Sequence, residues 1–175
     1  MRCVRLTSPK TYRAYAVALH ILDTTVLSNF ARIGRVDLLR LSLGDQGAMT
    51  GIVYDELHAG EATGRVPQRD WTWLPIIDLS TSETTQYKQL AQLLGGGEAS
   101  CLAVAIQRRA TIVTDDQAAR RYGLKVGVAV TGTLGLLRVL VRKGHLTLSE
   151  ADEVLVAMVS QGYRSPVRRL SELPD

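Results

Sequence analysis

The stretch "LHILDTTVLSNF", residues 19–30, decides how the chain folds. An apolar run ends in Asp23, and a pattern typical of an amphipathic helix follows it, so a buried strand leading into a helix is predicted. An ionised carboxylate at the end of such a strand is costly unless it is solvated, paired or bound to a cation. Asp23 therefore needs a partner from elsewhere in the chain.

Apolar runs alternate with helical patterns from residue 18 onward, which is typical of βαβ units around a parallel sheet. We predict a three-layer α/β/α sandwich with a central, mostly parallel, five-stranded sheet. The predicted strands are 18–22, 48–50, 74–77, 111–114 and 126–130. The predicted helices are 26–33, 36–41, 52–59, 82–94, 98–109, 117–122, 134–143 and 149–160. Two loops are predicted at 60–70 and 94–100.

The chain of 175 residues is predicted to hold one globular domain, residues 18–166, between two short ends. Residues 1–17 form a basic extension that we expect to be flexible, and residues 167–175 form a C-terminal tail. The extension contains no acid, and its basic residues account for the net charge of +4. We interpret it as a solvated terminus rather than a nucleic-acid-binding arm.

Composition excludes several classes of protein. Apolar residues make up 46% of the chain, which is enough for a core without disulfide or zinc staples. Cys3 and Cys101 are too few for a disulfide framework, and no Cys/His cluster has zinc-ligand spacing. No apolar run has the length of a membrane span, and the first residues lack a signal-peptide pattern. A cytoplasmic protein without membrane association is expected.

Carboxylates stand at four places that a parallel sheet could bring together. Asp23 ends the first predicted strand, and Asp115 and Asp116 end "ATIVTDD"; Glu98 follows three glycines, and Glu56 lies in "TGIVYDELHAG". Ligands of open parallel sheets bind outside the carboxyl ends of the strands. Carboxylates crowded there would repel one another, and a hard divalent cation such as Mg²⁺ or Mn²⁺ would remove the conflict.

Each carboxylate also has a simpler explanation. Glu98 could complement a helix dipole, Asp115 or Asp116 could cap the helix near Gln117, and Glu56 could pair with a base. Thr25 could either support a metal site through Asp23 or cap a helix that starts at Val26. The combination of the four places, in this order along the chain, favours a shared site.

The same segments resemble the motifs of the PIN domain family. "HILDTTVLSNFARIGRVDLL" resembles the first motif and "TGIVYDELHAG" the second; "GGGEASCLAVAIQRRATIVTDDQAARRYGL" is similar to the third and fourth. "VAVTGTLGLLRVLVRKGHL" resembles a subgroup of small prokaryotic PIN proteins with Gly-Glu in the third motif and a Gly-Thr-Leu-Gly segment. The resemblance extends from about residue 20 to residue 166.

The resemblance implies a PIN-like fold and an Mg²⁺- or Mn²⁺-dependent endonuclease acting on RNA. It also implies the toxin half of a VapC-like toxin–antitoxin pair, a small antitoxin protein as partner and a homodimer. The implied catalytic residues are Asp23, Glu56, Glu98, Asp115 and Asp116. All of these except Glu56 are metal-ligand candidates, and Thr25 and Thr114 would support them. A Thr-x-Asp pattern selects Asp116, whereas the acidic pair of the Gly-Glu subgroup favours Asp115, so both stay candidates.

Two other functions compete with the nuclease. In a haloacid-dehalogenase-like phosphatase, Asp23 would be a nucleophile, but Thr25 stands where most such enzymes have a second Asp, and Glu56 and Glu98 would have no role. In a non-catalytic PIN-like binding module, the acidic cleft would hold a metal or a partner's Arg without turnover. Four arginines could contact RNA phosphates, although solvated helix surfaces are the commoner explanation; they are Arg108, Arg109, Arg120 and Arg121.

Overall fold

The structure, a computed structural model, describes residues 5–6 and 19–173. The strands are β1 (Arg5–Leu6), β2 (His20–Leu22), β3 (Gly47–Thr50), β4 (Ile76–Ile77), β5 (Thr111–Val113) and β6 (Val130–Thr131). The helices are α1 (Thr24–Arg32), α2 (Val36–Leu43), α3 (Gly51–Ala62), α4 (Thr81–Leu90), α5 (Gly96–Arg108), α6 (Gln117–Lys125), α7 (Thr133–Arg142) and α8 (Leu148–Ser160). Short 3₁₀ turns occupy Gly44–Gln46 and Leu170–Glu172.

The strands pair in the order β1-β4-β3-β2-β5-β6, and every pair is parallel. From β2 the chain moves outward through β3 to β4, then crosses back to β5 and continues to β6. The strand order therefore reverses between β2 and β5, where the carboxyl ends of the strands leave a crevice suited to ligands. Asp23 directly follows β2, and Asp115 stands two residues after the end of β5.

The predicted α/β fold with five parallel strands is confirmed, and β1 adds a sixth strand at the edge beside β4. Connections that run in opposite directions along the sheet place their right-handed crossover helices on opposite faces, which gives the three layers. The other residues of the predicted N-terminal extension lie outside the described residues. For the same reason, the predicted flexibility of the extension stays a prediction.

Helix α5 packs on the centre of the sheet, against β2, β3 and β5. Its inward side is rich in small residues that are fully buried, such as Ala99, Ala103 and Ala105. Small side chains let the helix backbone approach the strands closely. The first turn of α5 is thereby fixed near the carboxyl ends of β2 and β5, where it belongs to the candidate site.

Several predicted helix boundaries were wrong, because caps and backbone hydrogen bonds, rather than hydrophobic periodicity, set where a helix begins and ends. Helix α1 starts at Thr24 rather than Val26, since the carboxylate of Asp23 accepts the Thr24 backbone N–H. Helix α3 continues to Ala62, so the loop predicted from residue 60 starts later. Helix α5 starts at Gly96, inside the loop predicted for 94–100.

The last predicted strand, 126–130, was also placed too early. Val126 caps the C-terminal end of α6, and Gly127 follows in a left-handed conformation with φ of 76°. The turn delays the strand, so that only Val130–Thr131 pair with β5.

A buried ion pair ties α4 to α5 away from the candidate site. Arg108 Nε and Nη2 donate to the two carboxylate oxygens of Glu83 at 2.6 and 2.9 Å, and the Glu83 side chain is only 2% exposed. Burial has the largest single effect on the pKa of Glu83 and raises it, but the hydrogen bonds from Arg108 and Ser80 outweigh burial and hold the pKa below its ordinary value. The charged pair therefore stabilises the fold at neutral pH.

Replacing Arg108 with Met is expected to lower the free energy of unfolding at pH 7 by about 3 kcal/mol, because a buried carboxylate would lose its partner. A depressed folded-state pKa gives stability that is present above the ordinary value of 4.5 and is lost as the pH falls. The deficit of the variant should accordingly shrink below pH 4.5. Urea unfolding at pH 7 and pH 4 measures it, with Arg35→Met, which breaks an exposed pair with Asp37, as the control. Equal losses in the two variants would contradict the prediction.

Candidate active site

Asp23 lies at the carboxyl end of β2 with its side chain 1% exposed. Its Oδ1 accepts the Thr24 backbone N–H at 2.7 Å; its Oδ2 accepts the hydroxyls of Thr25 at 2.7 Å and Thr114 at 2.8 Å. Thr25 lies in the first turn of α1, shortly after β2, and Thr114 follows β5, so these bonds join the ends of the two central strands. The predicted supporting threonines both contact Asp23, and Thr25 does not cap a helix at Val26.

The surroundings of Asp23 disfavour its ionised form. Burial is the largest cause, and the nearby Glu98 adds to it, so that the pKa rises to about 7 although three hydrogen bonds act in the opposite direction. A cation beside Asp23 would reverse both effects. The partners that the structure gives Asp23 are one backbone N–H and two threonine hydroxyls.

Glu56 reaches the same place from α3. Its Oε2 accepts the Thr24 hydroxyl at 2.8 Å, and its Oε1 accepts the Gly97 backbone N–H at 2.8 Å. Thr24 thus bonds to Asp23 through its backbone and to Glu56 through its side chain. These contacts bring together the N-termini of α1 and α5 and the middle of α3.

Glu98 and Asp116 line one cleft beside Asp23. Burial has the largest effect on Glu98 and raises its pKa, its own backbone N–H lowers it, and the charges of Asp116 and Glu56 raise it further. Asp116 caps α6, since its Oδ1 accepts the Ala119 N–H at 2.8 Å. Glu98 is therefore close enough to Asp23, Asp116 and Glu56 for their charges to act on one another.

Asp115 belongs to a different set of contacts. Its Oδ1 accepts the Thr133 backbone N–H at 2.9 Å, and its Oδ2 accepts the Thr133 hydroxyl at 2.5 Å and the Asn29 amide at 3.0 Å. Tyr163 also forms a side-chain hydrogen bond with Asp115. Protein donors occupy both carboxylate oxygens, and they fasten the start of α7 to the end of β5.

The donor set of the cleft fits a hard divalent cation. Asp23, Glu98 and Asp116 offer oxygen only, and burial together with neighbouring carboxylates raises the pKa of Asp23 and of Glu98, which a bound cation would oppose. In the described part of the chain, no three acidic, His or Cys side chains are already arranged to hold an ion. Glu98 folds back toward Gly95, so it would have to turn its carboxylate into the cleft to join such a site.

A family profile matches residues 19–173, nearly the whole described chain, and its description is PIN domain. The chain belongs to the PIN domain family. The resemblance of the four sequence motifs is thereby confirmed. PIN domains are generally nucleases and typically use divalent metals, which supports a hydrolase acting on nucleic acid.

Two solved structures are similar to this PIN domain. PAE2754 from Pyrobaculum aerophilum is 15% identical with a TM-score of 0.49, over 70% of this chain and 96% of that chain. VapBC2 from Rickettsia felis, bound to a DNA fragment from their promoter, is 19% identical with a TM-score of 0.47, over 65% of this chain and 98% of that chain. No curated protein sequence matches. None of the helices in the described residues has the length and apolarity to span a membrane.

Three residues of this PIN domain site were not predicted from the sequence: Thr24, Asn29 and Thr133. Thr24 stands beside Asp23 and Thr25 in "DTT", and the start of α1 was placed after both threonines, so its bond to Glu56 was not foreseen. Asn29 contacts Asp115 across 86 residues of sequence and Thr133 contacts it across 18, with Asn29 Nδ2 also 3.2 Å from the Thr133 hydroxyl. A polar Asn29 among the apolar residues of the first helical pattern was the local signal in the sequence.

The glycines of "LGGGE" leave room for the carboxylates rather than forming a tight turn. Among the described residues, positive φ values occur at other glycines, whereas Gly95, the residue that caps α5, has φ of −63°. A Cβ atom at Gly97 would collide with Glu56 Oε2 and lie 3.2 Å from Asp23 Oδ1. Gly97 therefore allows both acids to approach the first turn of α5.

We expect Gly97→Ala to lower nuclease activity about tenfold or more, because the new methyl group would displace the Glu56 carboxylate from its bond to the residue 97 N–H. The free energy of unfolding should change by less than about 1 kcal/mol, since alanine favours the helix and the displaced group is the end of a flexible side chain. Parallel cleavage and urea-unfolding measurements test this. Gly51→Ala, at an open position on α3, is the control. Full activity in Gly97→Ala would contradict the proposed role.

Proposed function

We propose that this PIN domain is an endoribonuclease that depends on Mg²⁺ or Mn²⁺. The observation that carries the proposal is the meeting of Asp23, Glu98 and Asp116, with Glu56 beside them, at the switch point of the sheet. Buried and half-buried carboxylates that bond only to hydroxyls and backbone N–H groups of the described residues are an expensive arrangement that a bound cation would relieve. The cytoplasm is the proposed compartment.

Asp23, Glu98 and Asp116 would hold the metal, and Glu56 would complete the cluster directly or through water. The chemistry supplied by bound Mg²⁺ or Mn²⁺ is acidification of a water molecule and neutralisation of charge on the phosphate. Thr25 and Thr114 fix the Asp23 carboxylate through their hydroxyls. Thr24 and the Gly97 N–H hold Glu56 in the same way.

Asp115 has a positioning role in this proposal. Its oxygens already accept four protein hydrogen bonds, which leaves Asp116 as the better candidate ligand of the pair. Asp116 uses Oδ1 to cap α6, and none of the described side chains or backbone groups donates to its other oxygen. The Thr-x-Asp pattern of the fourth PIN motif favours the same choice.

Single-stranded or looped RNA is the proposed substrate. A phosphodiester can enter a cleft lined by carboxylates only when positive charge is present there, and a flexible strand can bend to present one phosphate to the site. No covalent nucleophile is needed, which agrees with the lack of a Ser-His or Cys-His pair among the site residues.

The Gly-Glu motif at residues 97–98 and the segment "GTLG" at residues 132–135 support the toxin half of a VapC-like pair. A small antitoxin protein and a homodimeric form are part of this proposal. A reading frame for a small protein directly beside this gene, whose product relieves growth arrest on co-expression, is the expected result. Growth arrest that such a product leaves unchanged would contradict the toxin–antitoxin part while leaving the nuclease intact.

The function is tested by incubating the purified protein with structured and unstructured RNAs in Mg²⁺, Mn²⁺ or EDTA. Cleavage is expected with either metal, and none in EDTA. Glu98→Gln should lose activity, whereas Glu153→Gln, on the exposed side of α8, should keep it. Hydrolysis of small phosphate esters without RNA cleavage would favour a phosphatase, and metal binding without either activity would favour a binding module.

A further inference from the structure

A basic groove of about 590 Å³ adjoins the acidic cleft. It lies between the ends of β5 and β6, helices α6 and α7, and the segment that follows α8. Arg120, Arg138 and Arg164 are among its described lining residues, and Asp115 is the one acid among them. Arginine side chains thus stand next to a cleft that Glu98 and Asp116 line.

Arg120 connects the groove to the cleft. Its Nη1 donates to the Thr114 backbone carbonyl at 3.0 Å, and the Thr114 hydroxyl binds Asp23 at 2.8 Å. Gly132 allows this approach, since a Cβ atom there would lie 3.0 Å from Arg120 Nη1. Thr114 therefore links the Arg120 guanidinium to the buried Asp23 carboxylate, through its backbone carbonyl on one side and its hydroxyl on the other.

The single acid of the groove does not cancel its positive charge. Hydrogen bonds from Thr133, Asn29 and Tyr163 spread the charge of Asp115 over neighbouring donors. Burial, followed by the charge of Asp115, raises the pKa of Tyr163, so its hydroxyl stays protonated. Among the described lining residues, Arg120 and Arg164 by themselves carry more charge than the one internally bonded carboxylate.

We propose that this groove binds backbone phosphates of a single-stranded nucleic acid on one side of the phosphate that enters the cleft. The inference rests on the proposed nuclease function and adds the direction in which the strand leaves the site. Guanidinium groups match phosphate geometry with paired hydrogen bonds. The groove therefore supplies affinity for the strand, which the acidic cleft cannot supply by itself.

Fluorescence anisotropy with a labelled single-stranded RNA, in EDTA to prevent cleavage, tests the groove. Each arginine that contacts a phosphate should contribute about 0.7 to the slope of log K against log salt concentration. Arg120→Gln/Arg164→Gln should therefore bind more weakly, by about fivefold for each arginine at about 0.1 M salt. DNA of the same sequence should show the same salt dependence, because its phosphates are the same.

The matched control is Arg121→Gln/Arg168→Gln, which removes the same charge from exposed positions on the same two segments, outside the residues that line the groove. Because Arg120 also bonds to Thr114, Arg164→Gln alone serves as a second variant and should lower the salt slope by about 0.7. Equal affinity and slope in the groove variants and the control would overturn the proposal.

The two proposals fail in different ways. Wild-type protein that binds RNA through the groove arginines but does not cleave it in Mg²⁺ or Mn²⁺ would end the nuclease proposal and keep the groove. Wild-type protein that cleaves RNA while Arg164→Gln and the double variant bind like the control would end the groove proposal and keep the nuclease. Wild-type protein without measurable RNA binding in EDTA would also overturn the groove and favour a protein partner for this surface.

Discussion

Asp23→Asn is expected to reduce metal-dependent RNA cleavage by more than about 100-fold. Partners that merely position a metal ligand commonly change activity 10- to 100-fold, and Asp23 is proposed as the ligand itself. The substitution removes the negative charge while keeping the shape of a side chain that three neighbours contact. Initial rates on a labelled single-stranded RNA at saturating Mg²⁺ measure the effect.

Asp45→Asn is the matched control for that experiment. Asp45 is exposed and precedes β3, so it lies at the opposite end of the sheet from the cleft. The control should cleave at the wild-type rate, and circular dichroism should show that both variants are folded. A folded Asp23→Asn variant with the activity of the control would show that the buried carboxylate has no part in the reaction.

The second large effect separates two neighbouring acids. Asp116→Asn should reduce cleavage by about 100-fold or more with almost no loss of stability, because Asn caps a helix as well as Asp does. Asp115→Asn should instead lower the free energy of unfolding by about 1–3 kcal/mol, since its new NH₂ group would face donors from Thr133 and Asn29.

Cleavage rates and urea unfolding, measured on both variants, distinguish the two roles. Activity should be compared at a temperature at which Asp115→Asn is fully folded, so that its lower stability does not count as lost catalysis. The reverse pattern, with Asp115→Asn inactive and stable and Asp116→Asn active, would make Asp115 the metal ligand. The role assigned to Asp116 would then be wrong.

The general position of the site followed from sequence because parallel sheets obey simple rules. An apolar run that ends in Asp23 and another that ends before Asp115 and Asp116 predicted two strands with acids at their carboxyl ends. Those strands are neighbours at the switch point, as the prediction required. Glu98 could be added because it stands at the start of a helix after three glycines, and Glu56 because it lies on a helix whose neighbouring apolar residues face the core.

The choice between Asp115 and Asp116 was not available from sequence. Successive residues along an extended strand point to opposite sides, so adjacent acids at its end enter different surroundings. Asp116 lies on the side that contains Glu98. Asp115 lies on the other side, which contains Asn29, Thr133 and Tyr163. These partners are distant in sequence, and no local pattern links them to the acidic pair.

The function of the three glycines at residues 95–97 could not be predicted from the sequence either. Glycine in a loop predicts a turn, but here the decisive property is the missing Cβ atom at Gly97, which leaves space for Glu56 and Asp23. Such a requirement depends on a side chain of α3 that is 41 residues earlier in the chain. Arg108 was misleading for a related reason, since the buried Glu83 and not a phosphate accounts for its position.

Binding of Mn²⁺ to metal-free protein, followed by isothermal titration calorimetry without RNA, tests the carboxylate–metal site most directly. Wild-type protein and Asp45→Asn should bind one or two ions per chain with the same affinity, and Asp23→Asn should bind at least about tenfold more weakly. Identical Mn²⁺ binding by wild-type protein and Asp23→Asn, or no binding by wild-type protein, would contradict a metal centre in this cleft.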